Sequence, residues 1–100
     1  MKNRFKDQVS VITGGATGIG YSIAKRLGTE GSKLIIVDIN DEIGTKTVKE
    51  FNSIGIDSIL ITGDVSNEDI AAKAIKAAND NWNKLDVLIN NAGITGDPGT

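Results

Sequence analysis

The stretch TGGATGIG at residues 13–20 constrains this chain more than any other feature. Before it stands Val9-Ser10-Val11-Ile12, short, apolar and β-branched, which predicts a buried strand. After it come Ile19, Ile23, Ala24 and Leu27, spaced for one face of a helix. Strand, glycine-rich turn and helix in that order set a helix N-terminus at the tip of a strand. The start of a helix has unpaired N–H groups and a partial positive charge, a ready site for phosphate. Gly14 permits the sharp turn, Gly18 a close approach of backbone to pyrophosphate, and Gly20 tight packing of helix on strand.

The spacing sets this loop apart from two similar ones. The general dinucleotide pattern is G-x-G-x-x-G, whereas Gly14, Gly18 and Gly20 form G-x-x-x-G-x-G. The P-loop of nucleotide hydrolases reads G-x-x-x-x-G-K-S/T. Gly15, Gly20 and Ser22 match its spacing, but Tyr21 stands where the lysine must be. The main charge for the β- and γ-phosphates is therefore missing. A turn of this kind is also compatible with plain connection chemistry, so the rest of the chain has to decide.

Strand and helix patterns alternate to the end. Strands are predicted at residues 8–13, 33–38, 57–62 and 86–90, helices at 18–30, 41–53 and from a cap at Ser66 to about 83. Leu34-Ile35-Ile36-Val37 is an unbroken apolar run, as suits a parallel strand covered on both faces. Ile43, Thr47, Val48, Phe51 and Ile54 are expected on the inner side of the second helix, and Ile70, Ala74, Ile75, Ala78 and Trp82 on that of the third. Gly31 and Gly55 suit the left-handed residue that ends a helix. Ser66-Asn67-Glu68-Asp69 has the spelling of a capping box. The fold class that follows is α/β, a Rossmann-like doubly wound parallel sheet, here β-α-β-α-β-α-β with strand order 3-2-1-4. Its switch point lies between the first and fourth strands, at their C-terminal ends, where such sheets bind ligands.

Four motifs in this order resemble the short-chain dehydrogenase/reductase family: Thr13-Gly14-Gly15-Ala16-Thr17-Gly18-Ile19-Gly20, Asp38 after the second strand, Asp64-Val65 after the third, and Asn90-Asn91-Ala92-Gly93 after the fourth. The resemblance covers residues 8–94. It implies a cofactor site formed by Gly14, Thr17, Gly18, Ile19, Gly20, Asp38, Ile39, Asp64, Val65, Asn91, Ala92 and Gly93. It implies hydride transfer between a nicotinamide and an alcohol or carbonyl carbon of a small molecule. Members of the family are considerably longer, and their catalytic asparagine, serine, tyrosine and lysine fall beyond Thr100. Residues 1–100 are thus expected to be a partial NAD(P)-binding domain, inactive alone, within an oxidoreductase that is expected to be a homo-oligomer. The alternative is a non-catalytic dinucleotide-binding or interaction module.

Asp38 ends the second strand 24 positions after Gly14. An acid there can accept from the adenosine ribose hydroxyls and repels a 2′-phosphate, which favours NAD over NADP. The alternative for a strand-end aspartate is a cap on the second helix. By resemblance Asp64 meets the adenine amino group and Val65 packs on the ring, although an ordinary strand-end turn accounts for the same pair. Asn90 is open between a structural and a binding role. Tyr21 and Lys25 spell Y-x-x-x-K, the family's catalytic pattern, but on the first helix, and are read as a coincidental surface pair. Trp82 is read as packing.

Composition excludes other chemistries. The chain has no cysteine and no histidine, which removes disulfides, Cys/His zinc sites and histidine triads. The net charge of −2 offers nothing to nucleic acid or an acidic membrane. No signal peptide or spanning segment is evident, so a cytoplasmic location is the expectation.

Overall fold

Apolar residues occupy both faces of the central strands, which is why their runs in the sequence are unbroken. The computed structural model of the chain describes residues 6–16, 18–64 and 66–90. Within them lie β1 (Val9–Thr13), α1 (Gly18–Thr29), β2 (Lys33–Asp38), α2 (Asp41–Ser53), β3 (Ser58–Thr62), α3 (Glu68–Trp82) and β4 (Val87–Asn90). The four strands form one parallel sheet in the order β3-β2-β1-β4. The expected strand order and alternation are therefore those of the structure.

The two-residue period of a strand sends neighbours to opposite faces. Ile12, Leu34 and Ile36 meet Ala24 of α1 and Phe51 of α2 on one face. Val9, Val11, Ile35 and Val37 meet Ala74 and Ala78 of α3 on the other. The buried Ser10 and Ser32 hydroxyls pair with each other at 2.8 Å.

The helix faces differ from the sequence reading in a consistent way. Ile43, Ile54 and Ile75 are exposed, and the buried positions are Gly44, Thr47 and Phe51 on α2 and Ala74 and Ala78 on α3. Gly44, Ala74 and Ala78 sit where the helices ride close to the sheet, and Ile43 and Ile75 stand beside them at the margin. Ile19 is exposed as well, so the inner side of α1 is Gly20, Ala24 and Gly28. Trp82 packs against the α3 side of the core as read.

Helix ends follow their capping chemistry. Gly31 and Gly55 have φ of +106° and +89°. Each follows its helix in a Schellman turn, Ser32 N–H donating to Leu27 and Ile56 N–H to Phe51. The cap of α3 is Asn67, whose side chain accepts from Asp69 N–H, and not Ser66. Ser66 instead donates to Asp64.

Candidate cofactor site

Parallel register brings four strand ends to one edge of the sheet. Thr13 is level with Val37 on one side and with Asn90 on the other, and Asp38 is level with Thr62. The chain leaves β1 toward β2 on one side while β4 lies on the other, so the switch point of the sheet falls between the C-terminal ends of β1 and β4.

The β1–α1 loop is shaped by backbone that only glycine adopts freely. Gly14 has φ +66° and Gly18 φ +57°. Gly14 N–H donates to the Val37 carbonyl at 2.7 Å, which turns the loop back over β2. Gly18 opens α1, and Gly20 is buried. The first turn of α1 has no acidic side chain, whereas α2 begins with Asp41 and Glu42 and α3 with Glu68 and Asp69. The positive end of α1 is thus not neutralised by its own carboxylates.

Asp38 stands at the mouth of this loop. Its Oδ2 accepts from Ala16 N–H at 3.1 Å and its Oδ1 from Asn40 N–H at 3.0 Å. The α2 cap is Asn40, which accepts from Ile43 N–H at 3.0 Å. The capping role weighed for Asp38 therefore belongs to Asn40. Each Asp38 oxygen retains a lone pair for a ligand hydroxyl. Ile39, next to it, is 71% exposed, and Ile19 across the loop is 67% exposed. Two large apolar side chains uncovered beside a glycine loop fit a flat, partly apolar ligand.

Asp64 follows β3 and is exposed. Its Oδ1 accepts from the Ser66 N–H at 2.9 Å and the Ser66 hydroxyl at 2.8 Å. These bonds, the backbone one first, hold its carboxyl below the usual aspartate range, so it is an acceptor at neutral pH. Asn90 is drawn into the sheet end, where Thr13 Oγ1 donates to its Oδ1 at 3.1 Å. The expectations for Thr17, Val65, Asn91, Ala92 and Gly93 lie outside the described residues.

Thr47 is the residue of this region whose part the sequence did not reveal. It was expected to face inward, but as packing. It is 5% exposed, and its hydroxyl donates to the Ala16 carbonyl at 3.2 Å. Nothing in the spelling of α2 signals a bond to a loop 31 residues earlier. Among the described residues no group of His, Cys, Asp and Glu is arranged to hold a metal, and no helix is long and apolar enough to cross a membrane.

A parallel sheet in this order, with a glycine turn feeding a helix and an acid at the end of β2, defines a Rossmann-like nucleotide-binding architecture. The pattern that describes short chain dehydrogenases matches residues 8–100, and the chain belongs to that family. It is 41% identical over 97 residues to xanthoxin dehydrogenase of Arabidopsis thaliana, covering 95% of this chain and 34% of that one. It is 40% identical over 94 residues to the 2,5-dichloro-2,5-cyclohexadiene-1,4-diol dehydrogenase of Sphingobium indicum, covering 94% and 38%. Among solved structures, a short chain dehydrogenase/reductase from Burkholderia phymatum in complex with NAD superposes with TM-score 0.81 at 30% identity, covering 84% of this chain and 30% of that one. The chain spans about a third of the length of the curated relatives it matches.

Proposed function

We propose that this chain binds NAD at the C-terminal edge of its sheet and serves an oxidoreductase that moves hydride between the nicotinamide and a small alcohol or carbonyl compound. Gly14, Thr17, Gly18, Ile19 and Gly20 take the pyrophosphate and its flanks. Asp38 accepts from the adenosine ribose hydroxyls and Ile39 packs beside the base. Asp64 and Val65 meet the adenine, and Asn91, Ala92 and Gly93 line the cleft beyond β4. The cofactor supplies the redox chemistry, while the chain binds and orients it.

The observation that carries the reading is Asp38, whose carboxylate lies 3.1 Å from the Ala16 amide at the mouth of the glycine loop. An acid so placed favours a free ribose over a 2′-phosphate. Calorimetric titration with NADH and NADPH tests this. NADH is expected to bind at least about ten-fold tighter, since like charges in one site cost several kcal/mol. Equal or reversed affinities would overturn the choice of NAD, and no binding of either would overturn the dinucleotide reading.

We further propose that residues 1–100 bind the dinucleotide without turning over a substrate. The Y-x-x-x-K pair supports this, because Tyr21 hydrogen-bonds Glu50 and its pKa is raised, the opposite of what a proton-donating tyrosine needs. Loss of NADH absorbance with a panel of carbonyl compounds would count against it.

A further inference from the structure

Ala16, between Gly14 and Gly18, has both of its backbone polar groups committed to side chains from the β2–α2 unit. Its N–H donates to Asp38 Oδ2 at 3.1 Å, and its C=O accepts from Thr47 Oγ1 at 3.2 Å. Ala16 is 4% exposed and Thr47 5% exposed. The two partners lie on opposite sides of the Asn40 cap, one at the end of β2 and the other on the second turn of α2. A buried carbonyl without a partner is costly, so the loop keeps this path only while Thr47 supplies the donor.

We infer that Thr47 is a positioning residue for phosphate binding, holding the glycine loop in its anion-ready shape from behind without touching the ligand. The inference rests on the dinucleotide reading above. Binding to a loop already in its bound shape avoids the ordering cost that a loose loop incurs. Asp38 clamps the same residue from the other side, so its removal costs the loop as well as the ribose contact. Thr47 has no ribose contact to lose, and its effect is confined to the loop.

Thr47→Val, nearly the same in shape, removes the hydroxyl alone. It is expected to weaken ADP-ribose and NADH by on the order of five-fold, the worth of one net hydrogen bond. NADPH should weaken by the same factor, leaving the preference unchanged. Adenosine, which has no phosphate, should bind as it does to the unaltered protein when followed by NMR shifts. Thr47→Ser, which restores the hydroxyl, should recover most of the loss. Wild-type affinity for ADP-ribose in Thr47→Val, or equal weakening of adenosine, would overturn the role of Thr47. Failure of the unaltered protein to bind NADH or ADP-ribose would instead overturn the dinucleotide reading, and this inference with it.

Discussion

The Tyr21 hydroxyl donates to Glu50 Oε2 at 2.6 Å, joining α1 to α2 across the outside of the sheet. The ring stacks on Phe51 with centroids 5.4 Å apart, and Lys25 Nζ stands 6.0 Å from its centre. Tyr21 and Lys25 share a helix face as their spacing requires, yet the hydroxyl is turned to a carboxylate rather than to the ammonium.

The bond to Glu50, more than the slight burial, holds the Tyr21 pKa above its ordinary value of about 10. The contribution of this bond to stability is present below that value and lost as pH rises through the raised one. Tyr21 is the only tyrosine, so the tyrosinate absorbance reports it alone. Glu50→Gln should bring the midpoint down toward the ordinary value. Tyr21→Phe should leave NADH affinity unchanged, and a large loss of affinity would return Tyr21 to the site.

A second pair closes the other end of the sheet. Val9 N–H donates to Asp86 Oδ2 at 2.9 Å, Asp86 N–H donates back to the Val9 carbonyl at 2.9 Å, and Lys84 Nζ is 3.1 Å from the same carboxylate. The Val9 amide first, and Lys84 with it, hold the Asp86 pKa below the ordinary aspartate value. A depressed carboxylate stabilises above the unfolded value of about 3.9, and this is lost as pH falls through the folded one. The advantage of wild type over Asp86→Asn should therefore be full near about pH 6 and shrink in acid. Melts across that range check it, and a gap that does not change with pH would show that the charge is not involved.

What could be read from the sequence, and what could not, divides along contact range. Strand order followed from alternation, because strand-helix-strand units admit few arrangements. The sharp turn at Gly14 and the place of Asp38 at the end of β2 were legible because they rest on backbone shape and the strand pattern. The inner faces of the helices were only half legible. A period of 3.6 locates a stripe, but whether Ile43 or Gly44 lies at its centre depends on how closely α2 rides on the sheet. The cap of α3 was misplaced by one residue because Ser66 and Asn67 are both good caps, and Asp64 draws Ser66 away. The bond from Thr47 to Ala16 depends on tertiary packing and leaves no local mark.

The close approach of helix to sheet sets different expectations for two helical glycines. A Cβ on Gly28 would lie 2.5 Å from Ile56 Cγ2, and one on Gly44 would lie 2.6 Å from Leu60 Cδ1. Ile56 is buried and β-branched, so its Cγ2 cannot swing aside, whereas the Leu60 methyls end a half-buried flexible chain. Either alanine gains about 1 kcal/mol in helix propensity. Overpacking against Ile56 costs up to about 3 kcal/mol, so Gly28→Ala should lose roughly 2 kcal/mol net. A shifted Leu60 rotamer costs about 1 kcal/mol, which leaves Gly44→Ala near neutral. Urea melts separate the two, and equal effects would mean that the packing at Ile56 yields more readily than its shape suggests.

Leu88 bears on how the sheet edge behaves. Its neighbours Val87 and Ile89 are half-buried, with Ile89 against the core beside Ile12. The strand period sets Leu88 apart from them: it pairs with Val11 on the α3 face, but α3 packs over β1, β2 and β3 and leaves this corner open. Leu88 is 61% exposed on an edge strand of the described sheet. Exposed apolar edges invite strand pairing, and a lysine on the edge opposes it. Leu88→Lys should lose at most about 1 kcal/mol, because little of the side chain is buried. In sedimentation velocity the unaltered chain should shift to larger species as concentration rises, while Leu88→Lys stays monomeric. An unaltered chain that remains monomeric at every concentration would show that the twist of the edge already protects it.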